Sequence, residues 1–446
     1  MTQTLEQLAL VTGGRLVLGA GCPASREVAG RVALPGEQSN EAAVYWSLNK
    51  SDAKQTEQQA WATGKGLVTE TPPRNVPAGC WALVVGDARR ALHAWARHQR
   101  DLHGRKVLAV VGEHDAGLAQ SLLAAALGLE CAASGGDADA RLCADLTSLT
   151  PVQHTAIAAI PAIDAERLAI LARPTIALCL TGGAVGGSTG GAWTEAATRW
   201  RTLLSSLPSQ TLPILPGDDL ACRRAASERS ERVLFVGRGG DCDLVANRVA
   251  CRDGKLTFQV ENQTFGLATW GRHRLAPALA AIAVARELGQ SLSETADALA
   301  AWVDPAGPAV LEPTGVLTIG PVRTPEYRAA LAMLREVSAV GRRVVVCGQD
   351  EEHAAPRMRR RMGQLAVLDC GADLVVAYGE HSDEVARGAR KAGLPADRAV
   401  VCQDVEEARR FALRALRPGD TVLLHGPENA WRDEQPARQV SASRAA

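Results

Sequence analysis

The chain has 446 residues, 46% of them hydrophobic, with 49 basic and 49 acidic side chains and eleven cysteines. The apolar share supports packed cores and excludes wholesale disorder, the length suits about three domains of roughly 100–200 residues, and zero net charge excludes a globally basic nucleic-acid surface. No C-x-x-C spacing occurs, no apolar run reaches the roughly 18–20 residues of a membrane span, and no basic segment with an apolar stretch opens the chain; the expectation is a cytoplasmic protein with reduced thiols, no membrane span and no nucleic-acid partner.

Residues 1–104 read as an N-terminal α/β domain. Thr4 and Gln7 are spaced as a capping box for a helix opening at Leu5, and Gly13-Gly14 ends that helix. Arg15–Leu18, Val44–Leu48 and Trp81–Val85 read as strands, and Asp87 precedes a helix with Ala91, Leu92 and Trp95 on one side. Residues 105–307 read as a central domain. Its strands are Leu108–Val111, Thr155–Ile160, Thr175–Leu180, Leu212–Leu215 and Val233–Val236, spaced for a mainly parallel sheet with covering helices. A hairpin, Val245–Val249 and Leu256–Val260, turns at Asp253-Gly254; helices over Arg274–Leu288 and Ser293–Trp302 follow. Residues 308–434 carry the apolar runs Val344–Cys347, Leu374–Ala377, Ala399–Val401 and Val422–Leu424, separated by helices, and read as a smaller Rossmann-like domain; the polar tail 435–446 reads as disordered.

One turn in the central domain carries most of the functional information. The strand Leu108–Val111 runs into Gly112, Glu113, His114, Asp115, Ala116 and Gly117, and then into a helix with Leu122, Leu123 and Leu127 at helical spacing. Strand, tight turn and helix in that order is where P-loop proteins seat a nucleotide's phosphates, using small residues, a Lys for charge and a Ser or Thr hydroxyl for Mg²⁺. Here Ala116 and Gly117 stand in the Lys and hydroxyl positions, and two acids have entered. A carboxylate about 4 Å from a phosphate oxygen costs roughly 4 kcal/mol at an effective dielectric near 20. The turn therefore reads as a degenerate phosphate loop.

The order of the three domains, with this loop opening the middle one, resembles the Mur ligases, and most of all their D-alanyl-D-alanine-adding branch. Four stretches carry the resemblance: Leu5–Leu16 at the start, Gly271–Gly289 where the central domain closes, Tyr327–Leu331 at the first helix of the last domain, and Arg417–Leu424 at its final strand. The resemblance implies an α/β fold of three-domain Mur-ligase architecture, with a central P-loop-type sheet and a C-terminal Rossmann-like domain. It also implies Mg-ATP and a UDP-linked muramyl peptide as ligands, with phosphorylation of a peptide carboxylate and displacement by an amine.

Position by position, the family's chemistry is missing. An acidic Mg²⁺ ligand is expected where Ala158-Ala159-Ile160 stand, a His within Thr181–Gly186, a metal-bridging Lys near Arg199-Trp200-Arg201, and two Asn around His273, where Arg274 and Pro277 stand. Ile319–Arg323 replaces an Asp/Asn-rich turn, His425-Gly426-Pro427-Glu428 replaces a basic turn, and Ala29-Gly30-Arg31 replaces the UDP-sugar turn. No catalytic residue and no metal ligand is expected. Arg272, His273 and Arg274 are candidate remnants of the nucleotide site, and Arg31 a candidate UDP-sugar contact. Three readings stay open. The first is a pseudo-ligase without a cofactor that binds or regulates cell-wall synthesis proteins or an active Mur ligase. The second is an active Mg-ATP-dependent ligase in which Arg31, Arg272, Arg274 and the Gly-rich loop around Gly186 substitute for the missing groups. The third is a sensor of the UDP-muramyl precursor that does not bind ATP.

Other motifs have plain readings. Glu113-His114-Asp115 reads as a solvated turn, Asp218-Asp219 as a helix entrance, Arg357–Arg361 as a solvated helix face, His425 as a strand end, and the glycine run Gly182–Gly191 as a flexible loop. Trp61, Trp193 and Trp431 are candidate contact anchors beside the default of packing.

Overall fold

The computed structural model describes residues 3–28, 31–35, 43–63, 66–102, 106–112, 116–129, 138–147, 155–160, 170–180, 191–252, 254–304, 309–311, 316–322, 327–337, 340–349 and 355–427. The turn Glu113-His114-Asp115, the glycine run up to Gly190, Ala29-Gly30, Arg323, Glu428, Trp431 and the tail lie outside them. So do the side chains of Arg31, Ala116 and Trp193.

The described strands make three sheets. The first comprises β1 (Arg15–Leu18), β2 (Arg31–Ala33), β3 (Ala43–Trp46), β4 (Gly66–Thr69) and β5 (Trp81–Val84), in the order β1-β5-β4-β3-β2. Only the β1–β5 pair is antiparallel. The helix Leu5–Thr12 begins as its sequence dictates: the Thr4 hydroxyl accepts from the Gln7 amide, the Gln7 side chain accepts from the Thr4 amide, and Gly13 closes the helix at φ 67°, where a side chain would be strained. The helix Ala88–Leu102 turns Ala91, Leu92 and Trp95 inward, the face its periodicity predicts.

The second sheet contains β6 (Lys106–Val111), β7 (Thr155–Ile160), β8 (Ile176–Cys179), β9 (Leu212–Pro216), β10 (Leu234–Gly237), β11 (Leu244–Arg252), β12 (Lys255–Val260) and β13 (Gln263–Leu267). Its order is β13-β12-β11-β10-β9-β8-β6-β7. The strands β7 to β11 pair in parallel, while β11, β12 and β13 run antiparallel as an appended meander. Strand β6 is buried on both faces. Leu108 and Val110 pack with the helices Ala116–Leu127 and Leu275–Glu287; Val107, Ala109 and Val111 pack with the helices Ala138–Thr147 and Gly191–Ser206 on the other side. An all-apolar run instead of an alternating one is what a strand covered by helices on both faces requires.

The same core runs on into the first sheet, because the helix Ala138–Thr147 lies between the central sheet and the helix Ala88–Leu102. Arg100 pins this contact. Its buried guanidinium donates to the carbonyls of Ala172 (2.8 Å) and Arg173 (3.0 Å), and Arg173 in turn pairs with Asp101.

The third sheet holds β14 (Ala309–Leu311), β15 (Val316–Val322), β16 (Arg343–Cys347), β17 (Leu374–Tyr378), β18 (Ala399–Cys402) and β19 (Thr421–His425), in the order β14-β15-β19-β16-β17-β18. All but the β14–β15 pair are parallel, as in a Rossmann-like sheet. The helices Pro356–Leu368 and Ser382–Lys391 touch through glycines. A Cβ on Gly363 would meet the Val385 carbonyl at 1.9 Å, and one on Gly388 the Arg360 carbonyl at 1.9 Å, so neither position admits a side chain.

Candidate functional site

The chain leaves β6 for β7 on one side and then crosses to β8 on the other. The carboxyl end of β6 is thus a topological switch point, where open α/β sheets form their ligand crevice. Gly112 follows the strand and Ala116 opens the helix Ala116–Leu127, whose amino end lies at that edge. The scaffold of a phosphate site is present.

The described residues at the helix start are mostly apolar. The first helical turn is Ala116-Gly117-Leu118-Ala119, with Leu118 and Ala119 buried. The adjacent β7 ends in Ala158-Ala159-Ile160. At the end of β8, Cys179 is buried, and that burial pushes its thiol up to about 12. The carboxylates further along the edge are engaged by the backbone. Asp218 accepts from the amides of Arg238 (2.9 Å) and Gly239 (2.9 Å), and Asp219 caps the helix Leu220–Ala226 by accepting from Ala221 (2.8 Å), the helix entrance that the sequence predicts. Arg223 pairs with Asp241 at 2.8 Å and lies 4.7 Å above the Phe235 ring. Glu113, His114 and Asp115, outside the described residues, add two acids and no fixed cation. These residues do not fit Mg-ATP: no Lys or hydroxyl stands at the helix start, and no carboxylate at the end of β7.

The three candidate nucleotide-site remnants sit where the central sheet meets the third. Trp270 packs in the third sheet's core, and Gly271 at φ 93° donates its amide to Cys251 Sγ (3.3 Å). The Arg272 amide donates to Glu336 (3.0 Å), at the end of the helix Tyr327–Glu336, and the Arg272 guanidinium lies 3.8 Å from the same carboxylate, more than half exposed. Burial, reinforced by the neighbouring Arg274 charge, lowers the His273 imidazole to about 3, so it is neutral at physiological pH. Arg274 is buried 3.6 Å from Asp304, whose carboxylate also accepts from the Thr269 hydroxyl. Arg272 is thus drawn into a contact that joins the central part of the chain to the last, while Arg274 pairs within the central part. Arg31 lies in β2 opposite Ala43.

The carboxyl edge of the third sheet is closed by its own groups. His425 is buried, edge-on to Tyr327 at 5.3 Å, and the Tyr327 hydroxyl donates to the Met362 carbonyl (3.2 Å). The basic run departs from the expected solvated face at one position. Arg357 and Arg361 are exposed, but Arg359 is 2% exposed and donates to the carbonyls of Gly348 and Tyr378 (3.2 Å). The physical reason is its place on the inner side of the helix Pro356–Leu368, over the ends of β16 and β17.

Among the described residues no helix is long and apolar enough to cross a membrane, and no disulfide links the cysteines. Residues 324–427 match the family Mur ligase, glutamate ligase domain. A UDP-N-acetylmuramate–L-alanine ligase of Cereibacter sphaeroides is 29% identical over 46% of this chain; the match spans about half the length of that relative (48%). A UDP-N-acetylmuramoyl-tripeptide–D-alanyl-D-alanine ligase of Mycobacterium tuberculosis is 26% identical over 94% of both chains. A MurF crystal structure from Acinetobacter baumannii superposes with a TM-score of 0.74 at 20% identity over 97% of both chains. The ADP complex of MurF ligase from Thermotoga maritima does so with 0.70 at 16% identity, over 91% of this chain and 95% of the other. Residues 324–427 thus carry a Mur ligase C-terminal domain, and the chain has a MurF-like fold along nearly its whole length.

Proposed function

We propose that this protein is a Mur-ligase-fold member of peptidoglycan precursor metabolism that does not carry out ATP-dependent ligation and acts as a binding or regulatory module. The observation that carries this reading is the start of the helix Ala116–Leu127: a switch-point phosphate position whose first turn holds Ala116 and Gly117 in place of a cation and a hydroxyl. Phosphoryl transfer is almost entirely charge stabilisation and positioning, so a site without either loses both ground-state affinity and rate. In this reading residues 1–104, 105–307 and 308–434 are three domains of a cytoplasmic protein. Its ligand is a UDP-muramyl peptide or a cell-wall synthesis protein, including an active Mur ligase, and it carries no ATP.

The long match to the Mycobacterium tuberculosis ligase favours a second reading, an active carbon–nitrogen ligase with replacement residues. Phosphate release by homogeneous protein, with Mg-ATP, UDP-muramyl tripeptide and D-alanyl-D-alanine, separates the two. The first reading expects no release above the protein-free rate, and sustained turnover replaces it with the second. A melting-temperature rise with UDP-muramyl peptide and none with Mg-ATP identifies the precursor-sensing form of the first reading.

A further inference from the structure

Away from the β6 edge, the fold brings together three dissimilar donor side chains that no ligase role uses. His93 lies on the helix Ala88–Leu102 and Asp139 and Cys143 on the helix Ala138–Thr147. Asp139 and Cys143 are four residues apart, so both project from one helix face. His93 comes from the facing helix, and its Nε2 lies 2.8 Å from Asp139 Oδ2. One imidazole nitrogen, one carboxylate oxygen and the Cys143 sulfur all lie within 4.8 Å of one another. Cys143 is fully buried, while the His93 and Asp139 side chains keep 27% and 14% of their surface, so one side of the cluster stays open to solvent.

We propose that His93, Asp139 and Cys143 form a binding site for a zinc-class divalent cation that staples the first sheet's helix layer to the central sheet's. The donor set decides the metal: a thiolate with an imidazole and one carboxylate suits Zn²⁺ and its softer neighbours and disfavours Mg²⁺ and Ca²⁺, which take oxygen. Three protein ligands leave a fourth tetrahedral position for water on the open side. Bond lengths of about 2.0–2.3 Å place tetrahedral donors about 3.3–3.6 Å apart. On binding, the 2.8 Å His93–Asp139 contact therefore opens slightly and the sulfur, now within 4.8 Å, closes in. Cys143 binds as thiolate, and its proton leaves to solvent as the metal enters. The staple spans the packed contact between the two helices, beside which Arg100 and the Asp101–Arg173 pair also tie the first sheet's helix to the central part of the chain.

The test uses the full chain, stripped with a chelator and titrated with Zn²⁺ against a competing chromophoric chelator, and separately with Co²⁺ as an optical probe. The expected result is one equivalent bound at micromolar metal or below, a thiolate-to-cobalt charge-transfer band, and a melting temperature that rises with Zn²⁺. His93→Ala changes a partly exposed residue and Cys143→Ala a small one. Each is expected to weaken Zn²⁺ binding by roughly 100-fold, the upper end of what losing even an outer-shell partner costs, and Cys143→Ala to abolish the band. Cys242→Ala, at the partly exposed thiol beside Arg223, is expected to change neither. Absence of stoichiometric binding to the wild-type chain overturns the proposal. So does unchanged affinity in both His93→Ala and Cys143→Ala, which assigns the metal to other groups.

Discussion

Two sheet edges in this protein hold the positions where an open α/β sheet normally meets its ligand, and they are furnished in opposite ways. At the end of β6, Ala116, Gly117, Leu118 and Ala119 open the helix, and Ala158-Ala159-Ile160 end the neighbouring strand. At the end of β16, β17 and β19 the polar groups are present, but Arg359, Tyr327 and His425 turn inward and spend their hydrogen bonds and ring contacts on the protein itself. At one edge the helix start and the neighbouring strand end are apolar, and at the other the described polar groups are internalised. The backbone frame of a fold and the side chains that give it chemistry thus change independently, because helix and strand packing depend on the apolar faces and not on what the loops carry.

The contrast makes graded predictions. Trp270 belongs to the third sheet's core while sitting in the turn that leaves the central sheet. Trp270→Ala is expected to cost about 3–5 kcal/mol by the cavity it leaves, with the third-sheet unit melting ahead of the rest in calorimetry. A single unshifted transition would show that the two edges do not depend on this joint. Arg359→Met, on the closed edge, strands the Gly348 and Tyr378 carbonyls and is expected to cost about 2–4 kcal/mol in urea unfolding. A loss below about 0.5 kcal/mol, the surface-residue range, would mean that the guanidinium is not structural.

His273 adds a pH dependence. Its folded value near 3 lies below the usual 6.5, so only the unfolded chain takes up the proton as pH falls below 6.5. The stability from the neutral ring is complete above pH 6.5 and is lost on acidification toward pH 3. The loss is about 2–3 kcal/mol between pH 6.5 and 4.5, at about 1.4 kcal/mol per pH unit. His273→Gln should flatten that part of the acid-unfolding curve, and a curve of unchanged slope would contradict the burial.

Asp420, at the opposite, amino edge of β19, serves as a control. Burial pushes its carboxyl up, but hydrogen bonds from Arg342 and Arg417 outweigh that and hold it below the usual carboxylate range. Its contribution is therefore present above about pH 4 and fades as pH falls through the lower folded value. Asp420→Asn is expected to cost about 1–2 kcal/mol at pH 7 and much less at the acid end. Smallest of all, Ala116→Lys with Gly117→Thr should shift stability by less than about 1 kcal/mol, as is usual for changes at a helix start. It should not produce phosphate release, since β7 still ends without an acid. Turnover by that double variant would show that the rest of the catalytic set is intact.

The parts of this architecture that the sequence announces are those whose burial dictates residue type. Leu108–Val111, Leu374–Ala377 and Val422–Leu424 are apolar because both faces are covered, and the Thr4–Gln7 box announces a helix by its own hydrogen bonds. Short elements escape notice. Strand β2 has three residues and β4 four, while the helix Ala53–Ala62 buries only Thr56 and Ala60 and so has no apolar stripe. Strand β15 carries Gly320-Pro321, which reads as a turn; the pairing with β19 shifts register there and resumes at Val322. Arg359 is indistinguishable from its neighbours in a basic run, because what turns it inward is the packing of one helix face. His93 and Asp139 are 46 residues apart, so no local spacing marks the cluster they form with Cys143.

The proposed function rests on the helix start at the β6 edge, where Ala116 and Gly117 stand in place of a cation and a hydroxyl. Isothermal titration of the full-length chain with Mg-ATP tests this most directly. The predicted result is no saturable heat at millimolar nucleotide; a one-to-one isotherm with micromolar affinity, lost when a bulky side chain is placed at Gly112, would contradict it.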